Sequence, residues 1–307
     1  FIILCLARVA TVLAFTCEHL PQEKVIVTGA AGRTGKLIFE SLSQHTKYDP
    51  IGLVRTEKSA KRLINDVKFC LERIWVCDVT KLDPNDNTGV PKGLSDAEAM
   101  IICTSAVPKL RKRSVFKALL KVPINIISRK KAFQFREVKF KYAQGQHPEM
   151  VDYLGQVAQI DLAKRLGISH VILVSSMGVT NPDDFLNTLG KEQDGSGHGD
   201  ILIWKRKAEQ YLMETGLDYT IIHPGHLKDA PSSSSSSTSS FVLDVDDKLK
   251  HEPNCSITRA DLATLCIASL TVGKGEKLDF DCVSRNGEDG EDVKSAESAI
   301  IDFMSLE

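Results

Sequence analysis

Residues 28–35 read TGAAGRTG, which sets Gly29, Gly32 and Gly35 three residues apart, at the end of a β-branched run and the start of a helical one. A turn of this kind can hold a pyrophosphate. Gly29 permits the sharp exit from the strand, Gly32 lets the backbone approach the anion, and Gly35 lets the helix lie close to the sheet. The amides around Ala31, Arg33 and Thr34 then face the anion, together with the positive end of the helix dipole. Dinucleotide binding is the chemistry this spacing predicts. Twenty residues beyond Gly35, the second strand ends at Arg55, where a site for NAD usually carries an acid for the ribose hydroxyls. A guanidinium there would instead hold a 2′-phosphate through paired, charge-assisted hydrogen bonds, so NADP(H) is expected in preference to NAD(H). Arg33 could approach the same phosphate from the other side, and Lys58 lies just beyond. Asp78, in the block CDVT, is placed either to meet the adenine amine or to cap the next turn. Thr104 and Ser105, in the loop after Cys103, should line the same cleft.

These residues need a frame, and the apolar pattern supplies one. KVIVTG is followed by helix-forming GKLIFESL and then by a second apolar run, PIGLV. Further short runs stand at Ile74–Cys77, Ala99–Cys103, His170–Val174 and Asp218–Ile222, and helical-period stretches at Met150–Leu166 and Ile203–Glu214 separate the later ones. Such alternation specifies an α/β fold, with a mostly parallel sheet between two helical layers. The cleft is expected at the switch point between the first and fourth strands, with the loops after Val174 and Ile222 also facing it.

Composition sets the bounds. The 307 residues are 42% hydrophobic and 26% charged, which excludes a fully disordered or collagen-like chain. Lysine plus arginine total 39 against 40 acids, so the net charge of −1 gives no global field for nucleic acid or an anionic membrane. Eight cysteines include no C-x-x-C pair and no cluster at zinc spacing, so neither a disulfide scaffold nor a metal is expected; a reducing compartment fits. Residues 1–16, FIILCLARVATVLAFT, are too short and interrupted to span a membrane. With the Ala14-Phe15 step, residues 1–23 read as a plastid-targeting remnant, or else as an apolar tail on a cytoplasmic protein. Residues 24–307 are expected to form one domain. Gly195–Gly199 and the tract Ser232–Ser240 read as surface loop insertions within it. Lys109–Lys141 is rich in lysine and arginine, with Glu137 as its one acid, and reads as a solvated basic face or an anion-binding patch.

The blocks TGAAGRTG, GLVR, CDVT, TSAVPK, HPEMVDYLGQVAQIDLAK, VSSMG, WKRKAEQYL and TRADLA follow one another in this order. Over residues 24–282 their order and spacing resemble the atypical short-chain dehydrogenase/reductase superfamily, specifically the NmrA-like NAD(P)-binding proteins of plants and algae. The resemblance implies a Rossmann-type, doubly wound sheet with a small C-terminal lobe and NADP(H) at the glycine turn. In the wider superfamily a Ser or Thr after the fifth strand works with a Tyr-x-x-x-Lys pair, the tyrosine moving the proton and the lysine lowering its pKa and holding the ribose. Ser175 and Ser176 follow the fifth strand here and Lys205 holds the lysine position, but Ile201 stands where the tyrosine belongs. Tyr211 lies nearly on the opposite helix face from Lys205, and Tyr153 is on the preceding helix. His223 occupies a place where relatives usually carry arginine, and His226 follows closely.

The expected catalytic set is therefore Ser176, Lys205 and His223, with Lys205 also contacting the cofactor, and the expected activity is NADPH-dependent oxidoreduction of a small molecule. A non-catalytic NADP(H)-sensing protein with a protein partner is the alternative. The neutral charge and the lack of interleaved stacking motifs argue against nucleic acid. Thr258, in TRADLA, reads as a helix N-cap, with Arg259 and Asp261 in structural roles.

Overall fold

A strand covered on both faces must be apolar at successive positions, and β1 (Glu23–Thr28) meets that demand, with Val25, Ile26, Val27 and Thr28 all buried. The computed structural model describes residues 22–67, 73–82, 93–120, 138–192, 194–229, 239–286 and 293–306. In it, β1 lies between β2 (Tyr48–Val54) and β4 (Ala99–Ile102). Outside β2 comes β3 (Ile74–Val76). Outside β4 follow β7 (His170–Val174), β8 (Asp218–Pro224), β12 (Lys277–Asn286) and β10 (Ser239–Asp244). Among the described residues this sheet has eight strands, parallel throughout except for β10 on β12. The chain runs outward from β1 to β3 and then crosses back to β4, so a crevice opens beyond the carboxyl ends of β1 and β4. This is the Rossmann-type doubly wound α/β fold.

Alternate side chains of the strands feed two cores. On one face Val25 and Val27 pack with Ile38, Phe39 and Leu42 of α1 (Arg33–Gln44), with α2 (Glu57–Val67) and α6 (Arg259–Val272), and with α7 (Ala296–Met304). On the other face Ile26, Met100 and Ile102 meet Ile160, Leu162 and Ala163 of α4 (Gly155–Leu166) and Leu212 of α5 (Ile201–Glu214). α3 (Lys112–Leu120) follows β5 (Lys109–Leu110), which pairs with β6 (Phe140–Lys141). A small lobe carries the parallel pair β9 (His226–Lys228) and β11 (Ser256–Thr258), and the Thr258 hydroxyl accepts from the Asp261 amide at 3.0 Å, capping α6.

The expected targeting remnant, residues 121–137 of the basic segment and residues 232–238 of the serine tract lie outside the described residues. The end of the serine tract is a correction. Ser239 and Ser240 are not loop but open β10, paired with Asn286 and Arg285, because an edge strand needs only one neighbour and tolerates polar residues. The stretch expected as one helix from Met150 is also divided: a wide π turn occupies Glu149–Leu154 and α4 begins at Gly155.

Phe280 is fully buried on β12, with its ring 5.4 Å from that of Phe303 on α7. Phe280→Ala is expected to cost about 3–5 kcal/mol of unfolding free energy, measured as a fall in the urea midpoint at unchanged slope.

Candidate functional site

Gly29 leaves β1 with φ +65°, and a Cβ there would stand 2.9 Å from the carbonyl oxygen of Cys103. A Cβ on Gly32 would come within 2.9 Å of the Gly29 carbonyl oxygen, and one on Gly35 would overlap it. All three positions thus exclude a side chain for reasons of space. The Gly32 amide donates to the Gly29 carbonyl at 2.7 Å and closes the turn. α1 starts without a side-chain cap and without an acid in its first turn, so its leading amides are left to an anion.

The turn forms one wall of a cleft of about 280 Å³. Gly29, Ala31, Gly32, Arg55, Asp78, Thr104 and Ser105 all line it, as do Ser59 and Arg62. Arg55 donates to the side-chain carbonyl of Gln146, and Arg62 donates to the Ala31 carbonyl at 2.6 Å. Two guanidinium groups therefore border the cleft, and the one carboxylate among its described lining residues is Asp78, just beyond the end of β3. Arg33 is exposed on α1, and neither it nor Thr34 is among the lining residues. The Asp78 carboxylate accepts from the Thr80 amide at 3.2 Å and from its hydroxyl at 2.8 Å, capping a short 3₁₀ turn while remaining on the cleft wall.

Beneath the cleft floor lies a polar bracket. Asp152, fully buried within the π turn, accepts from the Ala106 amide at 2.9 Å and stands 3.0 Å from Lys205 Nζ. Gln156 donates to the Thr104 carbonyl at 3.0 Å, and Gln159 donates to the Thr104 hydroxyl at 3.1 Å. The loop leaving β4 is thus held by three side chains of one helical segment, while Lys205 reaches it from α5. The ammonium also acts on the Cys103 thiol: burial raises that group to about 12, against a smaller lowering by Lys205.

Of the two serines after β7, Ser176 donates to the neighbouring Met177 carbonyl at 3.2 Å, whereas Ser175 turns inward and donates to Glu209. The same Glu209 oxygen stands 3.1 Å from His223 Nε2. On the other edge of the ring, Nδ1 is 3.2 Å from Asp279 and 3.6 Å from Asp281. Arg206 completes the group, 2.9 Å from the second Glu209 oxygen. Burial alone would lower the His223 pKa, but the facing carboxylates of Asp281, Glu209 and Asp279 override it and raise it to about 10. Glu209 moves oppositely, its burial outweighed by His223 so that its carboxyl titrates below the usual range. His223 lines a separate cavity of about 80 Å³, walled also by Arg206, Asp247, Asp279 and Asp281.

The structure brings Ser175, Glu209 and His223 together and leaves the other candidates apart. Tyr211 donates to Asp161 at 2.6 Å, Tyr153 stacks on Trp204 with ring centres 5.7 Å apart, and His226 is exposed on β9. Arg62, Asp152 and Glu209 were not singled out from sequence. Arg62 lies one helical step from Ser59, a spacing that could have drawn notice; the partners of Asp152 and Glu209 come from distant segments. Among the described residues no group of three or more His, Cys, Asp and Glu is arranged to hold a metal ion. Among them also, no helix is long and apolar enough to cross a membrane.

A glycine cradle at the switch point of a doubly wound sheet defines a dinucleotide-binding protein, and residues 29–272 match the model of the NAD(P)H-binding family. The chain belongs to that family. It is 36% identical over 278 residues to sanguinarine reductase of Eschscholzia californica, covering 88% of this chain and 92% of that one. An uncharacterised chloroplastic protein of Arabidopsis thaliana is 31% identical over 265 residues, covering 85% of this chain and 69% of its own length. Among solved structures, an oxidoreductase from Lactococcus lactis superposes with a TM-score of 0.57 at 19% identity, covering 92% of this chain and 97% of that one.

Because His223 is raised from 6.5 to about 10 on folding, its imidazolium contributes stability that is full below about pH 6.5 and lost as the pH rises towards 10. Thermal unfolding across this window should show the decline, and His223→Gln should flatten it.

Proposed function

We propose that the protein is an NADPH-dependent oxidoreductase of a small molecule. The observation that carries the cofactor reading is the pair Arg55 and Arg62 at the cleft end beyond β2, where an NAD site would present an acid. The glycine cradle suits the pyrophosphate, since Cβ atoms at Gly29, Gly32 and Gly35 would fill or distort it. When bound, the cofactor supplies a hydride. The protein's own part is to orient the ribose and nicotinamide against the bracketed loop at Thr104 and Ser105, with Lys205 and the serines after β7 beside it. A reductase among the relatives at 36% identity supports the reaction class. The chloroplastic relatives support a plastid location, which fractionation of the source cells would test. A cofactor-sensing role is the second reading, favoured by Ile201 in the tyrosine position.

Calorimetric titration should show NADPH binding about ten- to a hundred-fold more tightly than NADH, as one charge-assisted pair contributes roughly 1.5–3 kcal/mol. Arg55→Ala should remove most of that preference, and equal affinities in the unaltered chain would overturn the cofactor assignment. With NADPH and a panel of quinones, aldehydes and ketones, slow or narrowly restricted turnover is expected, since general acid catalysis normally contributes about 10²–10⁴-fold. Ile201→Tyr should raise it. Absence of turnover in both chains, with NADPH altering affinity for a protein partner, would establish the sensing role instead.

A further inference from the structure

We propose that Gln146 completes the site for the 2′-phosphate of NADP(H), brought across the cleft to Arg55 by residues 142–148 and pinned there by the loop insertion at 190–199. The proposal rests on the NADPH reading and adds a residue that decides it. Its first support is contact. Arg55, at the end of β2, donates to the Gln146 side-chain carbonyl although the two lie 91 residues apart, and both line the dinucleotide cleft. Of residues 142–148, Gln146 alone lines that wall. Its second support is polarity. A guanidinium has only donors, so it takes the carbonyl end of the amide and leaves the NH₂ end to donate elsewhere. The Arg55 N–H groups not engaged with Gln146, together with that NH₂ group, form an edge made of donors. Such an edge suits a phosphate and gives a ribose hydroxyl no acceptor.

The segment that carries Gln146 is braced on both sides. Gly145, with φ +67°, sits in a turn in which the Gln146 amide donates to the Ala143 carbonyl at 3.0 Å. The His147 carbonyl then accepts from the Met150 and Val151 amides at 3.1 Å each, so the segment runs without slack into the π turn. The insertion holds it from outside. The His198 ring stacks on that of His147, with centres 4.0 Å apart and planes 12° from parallel. A Cβ on Gly190 would stand 2.7 Å from the Tyr142 ring, which brings the insertion against the other end of the segment as well. Glu192 fixes the insertion in turn, paired with Arg111 at 2.5 Å and with Lys139 at 2.6 Å, beside β5 and β6. Two bases of the Lys109–Lys141 segment thus serve the insertion.

The charge at position 146 then decides the ligand. A glutamate there has nearly the size of glutamine and would keep the bond to Arg55, but it would neutralise the guanidinium and replace the NH₂ donor with an acceptor. A 2′-phosphate would meet a carboxylate, whereas ribose hydroxyls would gain the acceptor that an NAD site supplies.

The test measures, by calorimetry on the full chain, the binding of adenosine 2′,5′-bisphosphate and of adenosine 5′-phosphate, which differ only in the 2′-phosphate. The native chain should prefer the bisphosphate. Gln146→Glu should weaken bisphosphate binding about ten- to a hundred-fold, the worth of a charge-assisted contact. Adenosine 5′-phosphate should bind that variant at least as well as the native chain, which also shows that it is folded. His198→Ala alters no residue of the cleft wall, yet should weaken bisphosphate binding about two- to tenfold by releasing the segment. His198→Phe, which keeps a stacking ring, should restore it. In a chain already carrying Gln146→Ala, His198→Ala should have no further effect, because both act through one contact. A preference that Arg55→Ala removes but Gln146→Glu leaves intact would overturn the role of Gln146 while the NADPH reading stands. A His198→Ala chain indistinguishable from the native one would overturn the pinning. Equal affinities of the native chain for the two ligands would overturn both the NADPH reading and this extension of it.

Discussion

The ion pair between Asp152 and Lys205 is the constraint on which the cleft depends. Both side chains are almost wholly withdrawn from water, at 0% and 6% exposure, and such a pair is stable only when its remaining hydrogen-bonding capacity is met. The Ala106 amide meets part of it at 2.9 Å. Three segments far apart in sequence are thereby fixed to one another: the loop leaving β4, the π turn and α5. A buried pair of this kind adds little net stability over a well-packed apolar replacement, whereas removing one partner strands a charge at a cost of about 3–5 kcal/mol. Its value is positional. It sets the height of Thr104 and Ser105 above the sheet, and with it the depth of the cleft.

The sheet also separates two kinds of polar chemistry. Beyond the carboxyl ends of β1 and β4 lie the glycine turn and the arginines, an environment made by backbone amides and cations. On β12, Leu278, Phe280 and Cys282 enter the core beneath α6 and α7, while Asp279 and Asp281 take the alternate positions and face His223. One strand thus seals a hydrophobic core with one edge of its pleat and builds a charged enclosure with the other. The α5 helix serves both regions, sending Lys205 to the cleft floor and Glu209, one turn later, to the enclosure.

What the sequence revealed and what it hid follow from the range of the interactions. The glycine turn was legible because its demands are local: a left-handed φ at Gly29 and close backbone contacts at Gly32 and Gly35 leave a mark within eight residues. The strands of the parallel sheet were legible because burial on both faces requires unbroken apolar runs. β12 escaped notice because its acids interrupt such a run, and β10 because its first residues belong to a serine tract. Arg55 declared itself by position, but Arg62 emerged only when α2 was placed against the turn. The union of Ser175, Glu209 and His223 was invisible for the same reason. Their order in the chain, across β7, α5 and β8, contains no spacing rule that would bring them together.

The wide turn at Glu149–Leu154 has a consequence for how this segment can vary. Each residue of a helix advances the side-chain direction by about 100°, and a π turn accommodates one residue more than an α turn over the same stretch. Gly155 marks the join, since a Cβ there would stand 2.9 Å from the Met150 carbonyl oxygen. The extra residue acts as a phase adjuster: it lets Asp152 point under the cleft while Ile160 and Ala163, further along, still meet the sheet. Deleting a single residue here would leave the composition and hydrophobicity of the helix nearly intact. It would nonetheless turn either the carboxylate away from Lys205 or the apolar face away from the core, so the length of this segment is as tightly fixed as any side chain in it.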